Sequence, residues 1–249
     1  MKNTKKMIDK LRMFSKSVLG VFLAAVVIVP NVSVGSIAKA MECDSVKKII
    51  VDTSYCVYEG KKLIDCFPDK VFAEYIYEDI LGRENWADNR ETYNLSKEDI
   101  DIIHDCVYID VSMTSCTDLT GIENFSSLKC LLCSKTSIRD LNVSSLTKLR
   151  ELSCSDTLID ELDVSNNIAL TALRCNNTPI RELDVSNNTA LTTLMCNHTQ
   201  IADLDIRNNI ALKNLYCEDT NITGLSVTNN HNIHTIRCSS TVSIYYTID

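Results

Sequence analysis

Leucine or isoleucine recurs at positions 128, 149, 170, 191, 212 and 233, a spacing of 21 residues held without a slip. No other feature restricts the fold as much, because a short fixed period forces the chain to repeat one supersecondary unit and to close its core by stacking the copies. Each unit reads leucine, two variable residues, leucine, one variable residue, cysteine, two variable residues and threonine, then Ile, Leu and Val at spaced positions. Thr136, Thr157, Thr178, Thr199, Thr220 and Thr241 keep the same beat. Around each cysteine the pattern alternates, as in "TALRCN" and "TTLMCN", which is the period of a strand with one buried face. Leu173 and Cys175 are thus expected to point inward and Arg174 outward. Downstream, "LDVSNN" is too short and too rich in β-branched and turn-forming residues for a helix, so the return path should be extended or turn-like.

The units "LRELSCSDTLIDELDVSNNIA", "LTALRCNNTPIRELDVSNNTA", "LTTLMCNHTQIADLDIRNNIA" and "LKNLYCEDTNITGLSVTNNHN" resemble those of bacterial secreted leucine-rich-repeat proteins of the internalin kind. That resemblance implies an α/β repeat solenoid, curved, with parallel strands on the concave face and a small helical cap at its N-terminal end. Degenerate units flank the regular ones. Cys106, Ile109, Val111, Thr114, Cys116 and Leu119 fit a 22-residue first unit, and Ile233, Ile236, Cys238, Thr241, Tyr246 and Ile248 fit a last one without a separate C-terminal cap. The expected array covers residues 106–249 in about seven units.

Residues 67–105 read as the helical cap, behind a flanking segment at 41–66. In "FPDKVFAEYIYEDIL", Val71, Phe72, Tyr75, Ile76 and Ile80 recur at helical spacing, and "SKED" from Ser96 has the form of a capping box. "FPD" and "LSKEDI" resemble the brackets of the acidic, EF-hand-like loop in internalin caps. With Leu95 at the eighth loop position, Asp88 stands first, Arg90 third, Tyr93 sixth and Asp99 twelfth. Arginine at a ligand position and tyrosine where the turn needs glycine argue against calcium.

Residues 1–40 have the form of an export signal: Lys2, Lys5, Lys6, Lys10, Arg12 and Lys16, an apolar run from Val18 to Val29, and the small-residue stretch "SIAKA". The run is short of the roughly 20 residues that span a bilayer, so cleavage is expected over an uncleaved anchor. Met41 and Glu42 before Cys43 argue against a lipoprotein. Without this segment, 18 Lys and Arg face 32 Asp and Glu, a net charge near −14. Such a balance disfavours nucleic acid and anionic lipid surfaces as partners.

Cys133, Cys154, Cys175, Cys196, Cys217 and Cys238 share the inward sixth position. They are open to three readings: buried thiols acting as small hydrophobes, strained disulfide pairs, or a metal or redox device. In-register strands ~4.8 Å apart place the Cβ atoms at about that separation, against ~3.8 Å in a disulfide, which favours the first. In "CLLC", Cys130 and Cys133 face opposite sides of a strand and do not chelate together. Cys43, Cys56, Cys66 and Cys130 lie outside the array core, and their disulfide state is open. "HNIH" at His231 and His234 lacks the glutamate and helix of a zinc site, and no nucleophile elbow, Walker loop or dinucleotide fingerprint occurs. No cofactor or metal is expected, and the "ELD" and "DLD" carboxylates read as solvated surface.

Between the buried leucine and cysteine, the fifth position varies freely: Asp110, Leu132, Ser153, Arg174, Met195, Tyr216 and Arg237. Asn176, Asn197, His198, Glu218 and Asp219 flank it. Exposed tyrosine, methionine and arginine have the composition of binding hot spots. The candidate binding residues are Arg174, Met195, Tyr216 and Arg237, with Leu132, Asn197 and Glu218 beside them. The expectation is a secreted, non-enzymatic protein-binding module at a cell surface or host interface, with an unidentified protein partner. The alternative is a self-associating envelope component using Ile244, Tyr245 and Tyr246 at the C-terminal edge. An enzyme working through the cysteines or through residues 41–66 is the third reading.

Overall fold

The computed structural model describes residues 58–245; the export-type segment, Cys43, Cys56, Tyr246 and Ile248 lie outside them. Short helices come first: α1 (Leu63–Cys66), α2 (Lys70–Tyr75), a π-helical continuation (Ile76–Ile80), α3 (Trp86–Asn89) and α4 (Lys97–Asp105). Helical structure thus starts upstream of residue 67. Leu63 and Cys66 bury their side chains there, and the Leu63 N–H donates to Tyr93 O at 3.0 Å. Asp69 opens α2, one carboxylate oxygen accepting the N–H groups of Val71 (2.9 Å) and Phe72 (3.0 Å). Ser96 and Asp99 form the capping box of α4, each side chain accepting the other's backbone N–H, at 3.2 and 2.9 Å.

Seven strands then stack in parallel in the order β1 (Tyr108–Asp110), β2 (Cys130–Leu132), β3 (Glu151–Ser153), β4 (Ala172–Arg174), β5 (Thr193–Met195), β6 (Asn214–Cys217) and β8 (Thr235–Cys238). Their register is the sequence period: Leu131, Leu152, Leu173, Leu194 and Leu215 form one row, each fully buried. Burying one such side chain contributes roughly 2 kcal/mol, so a unit that stacks on its neighbours gains what it lacks alone. On the opposite side the chain is extended or turned, except for a 3-10 helical turn at Ile122–Asn124 in the first unit and where β7 (Gly224–Ser226) pairs in parallel with β9 (Ser243–Tyr245).

The threonine beat has a backbone cause. At the eighth position the chain turns through the left-handed region, at Met113, Lys135, Asp156, Asn177, His198 and Asp219, with φ between 52° and 61°. Asn and Asp tolerate that conformation best among residues with a side chain. The next residue is the threonine, whose hydroxyl donates to the cysteine carbonyl three residues back, as from Thr157 to Cys154 O (2.7 Å) and Thr178 to Cys175 O (2.6 Å).

A second column closes the other corner. Asn188 Nδ2 donates to Val164 O (3.0 Å) and Asn167 O (2.9 Å) of the preceding unit, and Asn167, Asn209 and Asn230 repeat the arrangement. Leu146 and Phe125 take this place in the two units nearest the cap. There Phe125 packs with Phe67 and Phe72 of the cap, each ring centroid 6.2 Å from its own, and the two cap rings lie 5.7 Å from each other. Gly121 (φ 100°) lets the chain pass, since a Cβ there would lie 2.3 Å from the Phe67 ring. The second oxygen of Asp69 accepts the N–H (2.8 Å) and hydroxyl (2.9 Å) of Thr117 and the N–H of Asp118 (3.2 Å), so one carboxylate starts a helix and ties it to the first repeat.

Candidate functional site

The register of the sheet determines which variable side chains become neighbours. Asp110, Leu132, Ser153, Arg174, Met195, Tyr216 and Arg237 are successive cross-strand partners in one row. All face away from the buried leucines and cysteines, and all are partly or well exposed. Tyr108, Cys130, Glu151, Ala172, Thr193, Asn214 and Thr235 form the parallel row two residues earlier. Asn197 and Glu218 sit where the chain leaves β5 and β6, and each backbone carbonyl accepts an N–H from the preceding unit.

The four central candidates differ in what already holds them. Arg174 forms an ion pair with Glu151, which stands on the preceding strand and diagonally opposite. Glu151 was not among the sequence candidates, although its third-position register beside Arg174 is readable from the period. Arg237 lies over the Tyr216 ring, 5.7 Å from its centroid, and is exposed. Met195 is in register between Arg174 and Tyr216. At the border, His198 Nδ1 lies 3.2 Å from the Asp219 carboxylate, and Ser155 donates to Asn176 Oδ1 at 2.7 Å.

The ladder thiols are placed for packing. Cys133, Cys154, Cys175, Cys196 and Cys217 are fully buried and unbridged, whereas Cys238 in the last unit is only half-buried. Burial pushes the thiols of Cys154 and Cys217 up to about 12, and those of Cys133, Cys175 and Cys196 also upward. A thiol held protonated is a poor nucleophile and a poor metal ligand. Cys130 faces outward and is partly exposed; burial first, then the carboxylates of Glu151 and Asp110, raise it to about 11. Cys66 is free and buried in the cap.

Asp99, whose side chain is 0% exposed, accepts from Arg83 (3.0 Å), Tyr93 (2.9 Å) and the N–H and hydroxyl of Ser96 (2.9 and 2.7 Å). Burial pushes its carboxyl upward, but the hydrogen bonds outweigh burial and leave it below its ordinary value. The Arg83 guanidinium is the positive charge beside this carboxylate. The "LD" carboxylates of the back are exposed, as solvated surface should be, and Asp163, Asp184 and Asp205 also each accept the N–H two residues on, at 2.8 to 3.0 Å. Grooves of about 800 and 670 Å³ run between these acidic turns. Among the described residues no group of three or more His, Cys, Asp or Glu side chains is arranged to hold a metal ion, and no helix is long and apolar enough to cross a membrane.

No family model matches the chain, and no curated protein matches it significantly. Among solved structures it is similar to internalin C2 of Listeria monocytogenes, 18% identical with a TM-score of 0.55, covering 77% of this chain and 99% of that one. It is also similar to a leucine-rich-repeat protein of Leptospira interrogans, 18% identical with a TM-score of 0.52, covering 61% and 41%. The chain has the internalin-like leucine-rich-repeat fold. The functional domain of InlJ from Listeria monocytogenes, described as including a cysteine ladder, is 27% identical over 77% of this chain and 49% of that domain, with a TM-score of 0.44. This chain thus spans about half the InlJ domain and less than half of the Leptospira protein.

Proposed function

We propose that this protein is a secreted, non-enzymatic protein-binding module whose strand face captures a partner at a cell surface or host interface. The observation that carries the proposal is the in-register row Arg174, Met195, Tyr216 and Arg237: four large, variable side chains side by side on a rigid sheet. Aromatic, methionine and arginine side chains dominate binding hot spots because they offer large contact areas and specific polar ends. Leu132, Asn197 and Glu218 extend the surface along and beside that row. The protonated ladder supports a scaffold role for the thiols, and the export-type segment supports secretion. Replacing Arg174, Met195, Tyr216 and Arg237 together by alanine is expected to abolish capture of a partner from host or envelope extracts while leaving the melting temperature within a few degrees. Undiminished capture by the folded variant would refute this site.

A second reading, self-association in the envelope, draws on the far end of the stack. Among the described residues β8 has no strand partner on its outer side, and Ile244 (39% exposed) and Tyr245 (60%) lie on β9, the outer strand of the two-stranded sheet. Unpaired edges of this kind invite pairing with another chain. Sedimentation equilibrium of the full chain distinguishes the two: a monomer at all concentrations removes the second reading.

A further inference from the structure

We infer that the partner segment held on this face is acidic and apolar, with a carboxylate seated on Arg237 and a neighbouring aliphatic or aromatic side chain lying across Met195 and Tyr216. The inference rests on the binding role just proposed and gives it a chemistry.

The two arginines of the row are in different electrostatic situations. Arg174 is already neutralised by Glu151. Arg237 is exposed, and among the described residues no carboxylate lies within ion-pair reach of it. The acidic side chains near its end of the face are not ion-paired with it: Asp219 faces His198, and Glu218, just past the end of the adjacent strand β6, forms no ion pair with it. An arginine resting on an aromatic ring is partly pre-organised, so it loses less freedom when its planar fork meets a carboxylate.

Between the arginines the two strand rows of the face are uncharged. Arg174 and Arg237 are three strand spacings apart, roughly 14 Å at ~4.8 Å per strand, and Met195 and Tyr216 fill the interval. The earlier row contributes Ala172, Thr193 and Asn214, small or neutral, so the methionine and tyrosine rise above a low floor. A thioether beside an aromatic ring suits an apolar side chain, because methionine adapts its shape and favours contact with rings. A basic segment would meet an unpaired cation in the row itself at Arg237, the carboxylates of Glu218 and Asp219 lying at the border of the row. The whole chain is strongly acidic, so an acidic partner is not steered in from a distance; recognition depends on short-range contact and its association rate is modest.

Selection of a displayed library of random 12-residue peptides on the immobilised full chain tests this. The expected peptides carry Asp or Glu next to Leu, Ile, Phe or Tyr. Their binding should fall by about tenfold or more with Arg237→Ala and with Met195→Ala, the loss typical of hot-spot truncation. Arg237→Lys should retain part of the affinity, and Arg207→Ala, an exposed arginine of the back turns paired with Asp205, should change it by less than about threefold. Peptides that depend on the four-residue row but are basic or uncharged would overturn the acidic partner and leave the face intact. Peptides indifferent to the row, or a selection yielding none that depends on it, would overturn both readings.

Discussion

At the scale of single residues, chemistry follows from which side of a three-residue strand a side chain occupies. Cys175 and Arg174 are adjacent in sequence, yet one is fully buried with its thiol driven upward by burial, and the other reaches the surface to pair with Glu151. The five inner ladder thiols should resist an aqueous thiol reagent at neutral pH and react promptly only after denaturation; mass spectrometry of partly labelled native protein reads this site by site. Cys130, though outward, should also label slowly, because its thiol lies near 11. The same burial gives an alkaline limit. Thiols raised in the folded state contribute stability that is complete below the unfolded value of about 8.5 and is lost as pH rises toward about 12. Urea midpoints should therefore fall between pH 9 and 11, and less so in a Cys154→Ala variant.

At the scale of elements, the part of the fold carried by apolar periodicity was legible in the sequence, and the part carried by main-chain partners was not. Leucine, cysteine and threonine columns announce themselves because burial tolerates few substitutes. The asparagine column looked like a turn, since its partners are carbonyls 21 and 24 residues away that no side-chain pattern reports. Asp69 was half legible: its place before α2 marks a helix start, but its hold on Thr117 depends on how the cap meets the array. The register that forms the Arg174 row could be read, whereas the Arg174–Glu151 pairing was overlooked because the two lie 23 residues apart. Asn188→Ala should cost about 1–3 kcal/mol by removing two donors and leaving a void. Asn188→Leu should cost less, because Leu146 already fills the equivalent place and a buried amide oxygen without a protein donor is removed. Denaturant unfolding of the two variants checks the order.

At the scale of the whole molecule, columns of like residues give a stack whose stability is distributed, while the binding chemistry proposed for it is confined to one face. The exposed turns contribute collectively. Hydrogen bonds from Ser165, Ser186 and Arg207 lower the carboxyls of Asp163, Asp184 and Asp205, the last to about 2. At Asp69 burial pushes upward, but bonds from Thr117, Phe72 and Val71 prevail and lower it too. Carboxyls lowered on folding contribute stability above the unfolded value of about 3.9 that is lost as pH falls through the folded values. The melting temperature should thus hold down to about pH 4 and drop between pH 4 and 2. Separation of scaffold from site is the central claim, and partner affinity in two variants measured side by side tests it most directly. Cys196→Ala, which shortens a fully buried ladder side chain, should lower the urea midpoint and leave affinity unchanged; alanine at Arg174, Met195, Tyr216 and Arg237 should leave the midpoint nearly unchanged and abolish binding. Binding lost with the folded Cys196→Ala protein, or kept by the four-residue variant, would contradict the account.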